Sequence, residues 1–116
     1  MAKTACRAAA IILQEGQIAL MRREKLGRLY YVFPGGKQEN GETGEQAAER
    51  EVEEELGLRV SAGQFVARTW FRSREQRYYL CAVTGGQFGS GQGPEFTRPF
   101  DPQYGGQGLP WLMSFP

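Results

Sequence analysis

Three glutamates, Glu51, Glu54 and Glu55, stand at i, i+3 and i+4 in a stretch that reads as a helix. That spacing puts their carboxylates on one helix face, within reach of one another. Like charges so placed destabilise a helix by about 0.2–0.5 kcal/mol per pair. A cation held between them offsets that repulsion. Ligands that are all oxygen suit a hard divalent ion, Mg²⁺ or Mn²⁺, rather than zinc. The chain has no histidine, which excludes the serine and cysteine triads that need an imidazole. Its two cysteines, Cys6 and Cys81, form neither a disulfide framework nor a zinc-type spacing. They read as buried, reduced thiols of an intracellular protein.

The elements around the glutamates are legible from local chemistry. Thr43 followed by Gln46 is a capping box that opens a helix. Ala47, Ala48, Val52 and Leu56 give that helix an apolar side to bury. Gly57 supplies the left-handed residue that ends it. Ahead of it, Gly35 and Gly36 let the backbone approach an ion and take dihedrals closed to other residues. Ala5 to Leu13 suits a strand, and the Glu15-Gly16 turn leads into a second strand, Ile18 to Met21, as a hairpin. Arg22 to Arg28 reads as a basic loop, and Tyr30 to Phe33 as a short aromatic strand stopped by Pro34. Beyond the helix, Leu58 to Val60 is extended and Ser61 to Gln64 turns. Phe65 to Arg72 and Arg77 to Val83 then form a second hairpin around Ser73 to Gln76. From Thr84 the glycine-rich run TGGQFGSGQGPEF reads as a loop, and LPWLMSFP as a final strand. There is no internal repeat and no linker, so residues 1–116 form a single domain.

With 116 residues, 41% apolar and 23% charged, the composition is that of an ordinary globular domain. The apolar run near the N-terminus is too short to span a membrane and has no convincing cleavage site, which makes the cytoplasm the default location. A net charge of +1 gives no overall attraction to nucleic acid or anionic membrane. The charges are segregated, however. Acids crowd the helix, while arginines gather at Arg22, Arg23 and Arg28 and again from Arg68 to Arg77. Such a split suits a polyanionic substrate held between arginines and a metal.

The stretch Gly35–Leu58 also resembles a known family. From Gly36 it reads Gly, five residues, Glu42, seven residues, Arg50-Glu51-Val52, one residue, Glu54-Glu55, one residue, Gly57-Leu58. This looks like the complete signature of the Nudix (MutT-like) hydrolases, with Val52 and Leu58 at its aliphatic positions. The resemblance implies an α/β (α+β) Nudix-like fold, a mixed curved sheet with the signature helix packed against it. It also implies metal-dependent hydrolysis of a phosphoanhydride bond in a nucleoside diphosphate linked to another moiety, and the compact MutT-like size points to a nucleoside triphosphate.

Residue roles follow from the same resemblance. Glu51, Glu54 and Glu55 would hold the metal, with the carbonyl of Gly35 and a loop carboxylate, Glu95, as further ligands. Glu51 is also a candidate base, and Arg50 would orient the glutamates. Glu42 would stabilise the turn into the helix. Arg22, Arg23 and Lys37 are candidates for the substrate phosphates. The final helix that usually closes this fold has no residues here, which implies either a homodimer covering the open sheet or a truncated, inactive domain. A Nudix module that binds a nucleotide without cleaving it is the alternative from another class.

Overall fold

The computed structural model describes residues 6–90 and 108–114. Within them, seven strands and one helix follow the order β1 (Arg7–Gln14), β2 (Gln17–Lys25), β3 (Arg28–Val32), β4 (Gly35–Lys37), α1 (Gly44–Leu56), β5 (Leu58–Phe71), β6 (Arg74–Gly86) and β7 (Gly108–Ser114). The sheet runs β3-β2-β1-β6-β5, with β4 added to β1 and β7 added to β2. Pairing is antiparallel except between β1 and β6, which run parallel from Arg7↔Gln76 to Ile12↔Cys81. This is the mixed sheet with a helix packed on it that the resemblance implied.

Three hairpins turn on two residues each, Glu15-Gly16, Leu26-Gly27 and Arg72-Ser73, all with positive φ. Such turns match the right-handed twist of the strands they join. The basic stretch 22–28 is therefore not a loop. Arg22 to Lys25 complete β2 and pair with β3 through Lys25↔Arg28. The turn expected at Ser61 to Gln64 is a bulge inside one long strand, with the register slipping between Ala62 and Phe65. A bulge keeps the partner strand paired on either side, which local sequence cannot reveal. The hairpin expected around Ser73 to Gln76 turns earlier, at Arg72-Ser73, and Phe71↔Arg74 closes it. β6 also runs on through Gly86, because Gly85 and Gly86 pair with Arg59 and Leu58.

Helix α1 starts and stops where its sequence predicts. The Thr43 hydroxyl accepts from the Gln46 N–H at 3.1 Å, and the Gln46 side chain accepts from the Thr43 N–H at 2.9 Å. Gly57 ends the helix at φ 78° and donates back to the Glu53 carbonyl. Its apolar side, Ala47, Ala48, Val52 and Leu56, is fully buried against Ala8, Ala10, Ile12, Leu58, Val60, Tyr79 and Cys81. Val52 and Leu56 each contribute about 1.5–3 kcal/mol by leaving water. Alanines on β1 let the helix and β4 come close. Both cysteines are free thiols, Cys81 buried and Cys6 half-buried.

Candidate active site

The site lies where α1 meets β4. Gly35, Gly36 and Lys37 pair with Ala9, Ala8 and Arg7 of β1, which pins the glycines beneath the helix. A Cβ on Gly35 would collide with the Ala8 carbonyl and the Ala9 Cα, so only glycine fits this backbone approach. A Cβ on Gly36 would instead occupy the place of the Glu51 carboxylate. Gly36 is thus the cradle in which Glu51 sits.

Arg50 gathers the acids. Its Nε donates to Glu42 Oε2 at 2.7 Å and its Nη2 to Glu42 Oε1 at 3.1 Å, a bidentate pair. Nη2 also donates to the Lys37 carbonyl at 3.1 Å. Nη1 lies 3.4 Å from Glu51 Oε2 and 3.4 Å from both Glu54 oxygens. One guanidinium thereby ties the loop ahead of the helix to two of the three helix carboxylates, a task its planar fork suits. The Arg50 guanidinium beside it holds the Glu42 carboxyl below the ordinary carboxylate range, helped by the Glu39 N–H. Glu51 goes the other way. Burial raises its pKa first, and the neighbouring Glu54 charge raises it further, against the pull of Arg50 and Arg7.

Glu55 faces inward and is buried. Its Oε1 accepts the Gly35 N–H at 2.8 Å, and Oε2 stands 3.7 Å from Arg23. Arg7, from β1, donates to the Phe33 carbonyl at 3.0 Å and to the Gly35 carbonyl at 3.4 Å. Burial pulls the Arg7 guanidinium below its ordinary value; Glu55 opposes that and the nearby Arg23 adds to it.

Beside this cluster opens a cavity of ≈ 590 Å³ whose wall includes Arg7, Arg23, Arg72 and Arg74 together with Phe33, Phe71 and Tyr78. The residues singled out by sequence are therefore divided. Glu51, Glu54 and Arg50 stand together, Glu55 and Gly35 bond to each other beneath them, and Arg23 faces the cavity. Arg22 instead lies 4.9 Å over the Trp111 ring, toward β7. Lys37 is exposed and meets Arg50 through its carbonyl. Glu95 lies outside the described residues. Arg7 carries no sequence signal, because only the parallel β1–β6 pairing sets it opposite Gln76. Arg72 and Arg74 belong to the arginine-rich stretch that the sequence shows, but their place on a cavity wall depends on the hairpin.

Do these residues suit a divalent ion? The donors are hard oxygens, and Glu51 and Glu54 are two like charges held close, one of them in a cradle that a methyl group would fill. That chemistry fits Mg²⁺ or Mn²⁺. Among the described residues, however, no three acidic or thiol side chains converge at ion-binding spacing. Arg50 stands between Glu51 and Glu54, and Glu55 is turned toward Gly35 and Arg23.

The fold and this site define the chain's class. A family model described as the NUDIX domain matches residues 4–101. The chain belongs to the Nudix family. It is 37% identical to the MutT4 protein of Mycobacterium tuberculosis over 84 residues, which are 64% of this chain and 34% of that protein. With the CTP pyrophosphohydrolase of Escherichia coli it shares 41% identity over 63 residues, 51% of this chain and 45% of that one. A MutT structure from work on Aliivibrio salmonicida and Vibrio cholerae superposes with a TM-score of 0.61 at 28% identity, covering 97% of this chain and 81% of the other. The chain spans less than half the length of the two curated relatives.

Proposed function

We propose that this domain hydrolyses a phosphoanhydride bond in a nucleoside diphosphate linked to another moiety, with nucleoside triphosphates as the leading substrates. The observation that carries this reading is the half-buried Glu51–Glu54 pair, gathered by Arg50 beside an arginine-lined cavity. The names of two relatives, a CTP pyrophosphohydrolase and a MutT, agree with it. Glu51 and Glu54 would hold Mg²⁺ or Mn²⁺, with the Gly35 carbonyl, Glu55 and Glu95 as further candidates. A divalent ion bound there neutralises phosphate charge and lowers the pKa of bound water. Glu51, in its glycine cradle, would be the group that takes a proton from water. Arg50 fixes the direction of both carboxylates through its hold on Glu42 and Lys37. Arg7 and Arg23 face the phosphates, and Arg22 and Lys37, directed elsewhere, are weaker candidates.

Glu54→Gln tests the assignment. Its side chain is 46% exposed, so the fold should survive the change. Turnover should fall by more than the roughly 10- to 100-fold that follows loss of a group merely orienting a metal ligand. The measurement is phosphate and pyrophosphate release from canonical and oxidised triphosphates, ADP-ribose and dinucleoside polyphosphates, with Mg²⁺, Mn²⁺ or chelator. Full activity in the variant would remove Glu54 from the machinery. A second reading, a module that binds a nucleotide without cleaving it, draws on Arg50 standing between Glu51 and Glu54. Tight nucleotide binding without metal-dependent turnover would select it.

No helix among the described residues is long and apolar enough to cross a membrane. We place the reaction in the cytoplasm, without nucleic acid as partner. The exposed Leu109, Leu112 and Met113 of β7 make a homodimer a reasonable assembly, and sedimentation across a range of concentrations tests it.

A further inference from the structure

The cavity wall carries more positive charge than one diphosphate needs, and the surplus is at one end. Arg7 and Arg23 form the inner pair, next to Gly35 and Glu55. Arg72 and Arg74 form an outer pair, on the β5–β6 hairpin. Arg74, Gln76 and Tyr78 alternate along β6 and so share one face, and all three line the cavity. Arg7 pairs directly with Gln76. At about 3.3 Å per residue, the backbone of Arg74 lies roughly 7 Å beyond that rung. Phe71 and Tyr78 contribute aromatic surface to the same wall.

A further observation singles out the outer pair: the hairpin turn that carries it is made from unsuitable residues. The turns Glu15-Gly16 and Leu26-Gly27 each place glycine at their second left-handed position, whereas Arg72 and Ser73 take φ 52° and 66° with no glycine at all. Turns of this kind favour Asn-Gly. Non-glycine residues held in this sparsely populated backbone region cluster at functional sites. Here the strained turn sets the Arg72 guanidinium 5.3 Å from the Phe71 ring centre, on the cavity wall.

We propose that Arg72 and Arg74 form a second anion subsite that, among dinucleotide substrates, favours those carrying a phosphate on the non-reacting half of the molecule. This rests on the reading of the glutamate cluster and the inner arginines as the diphosphate end. A diphosphate at Arg7 and Arg23 then leaves one nucleoside along the aromatic wall, with its sugar phosphate beside the outer pair. A guanidinium offers such a phosphate a bidentate, charge-assisted pair.

The test uses NADH and NADPH, dinucleotides that differ by a single sugar phosphate, bound to the protein in chelator and followed by calorimetry. NADPH should bind about tenfold tighter or more, the usual effect of a hydrogen bond to a charged group. Arg74→Gln should remove most of that preference without touching the turn. Arg72→Asn/Ser73→Gly should remove most of it while raising Tm, because the new pair suits the turn. Equal binding of the two dinucleotides, binding of neither, or a preference intact in both variants overturns the proposal. A lowered Tm in the double variant overturns the strain argument beneath it. Because these titrations contain no metal, their outcome is separate from the turnover panel, where failure of the hydrolase reading would appear.

Discussion

Arg50 draws Glu42, Glu51 and Glu54 together with one guanidinium, and its shortest bond is to Glu42 rather than to the helix carboxylates. Glu42 is therefore the anchor that keeps Arg50 aimed. Its carboxyl is held below the ordinary range by that bond. A carboxylate with a depressed folded-state pKa adds stability that is present above its unfolded value and lost as pH falls through the folded one. Glu42→Gln should accordingly remove an acid-sensitive contribution. Melting temperatures of wild type and variant, compared from neutral pH downward, should differ most at neutral pH and converge in acid. A difference that is flat with pH would show that the Arg50–Glu42 pair does not operate through its charge. Partial exposure and salt screening keep the expected effect small.

Strand β4 and helix α1 act as a unit, and two adjacent glycines have different tasks within it. Gly35→Ala would drive a methyl group into the backbone of β1, so the strand must move or break. Such overpacking costs about 1–3 kcal/mol, and the variant should be read by its lowered Tm. Gly36→Ala would push against the Glu51 carboxylate instead. A side chain yields more easily than backbone, so stability should change less while turnover drops about 10- to 100-fold as Glu51 is displaced. If Gly36→Ala kept full turnover, Glu51 would have no need of its cradle. The spacing of the signature announces both glycines. It does not say which one the fold needs and which one the carboxylate needs, because that distinction lies in the register between β1 and β4.

Across the domain, the parallel pairing of β1 with β6 joins distant parts of the chain and closes the core over Cys81. Burial pushes the Cys81 thiol up to about 11, with Glu49 adding to the rise. At neutral pH it is therefore almost wholly protonated and a poor nucleophile. Alkylation of Cys81 should be slow in the native protein and become fast only when β1 and β6 separate, so its rate should follow global unfolding in denaturant. Rapid labelling under native conditions would mean that this end of the sheet opens locally.

The sequence by itself determined the helix, both of its caps, its buried side and the family signature. All of these depend on residues a few positions apart, where spacing translates directly into geometry. The hairpin turn without glycine, Arg72-Ser73, and the bulge within β5 left weak local marks, and the charged run Arg22 to Lys25 read as loop although it completes β2. Tertiary structure alone decided which arginines share a cavity. Arg7 and Arg74 reach one cavity wall because a parallel ladder joins segments far apart in sequence, and Arg22 and Arg23, adjacent in the chain, point to opposite faces because side chains alternate along a strand.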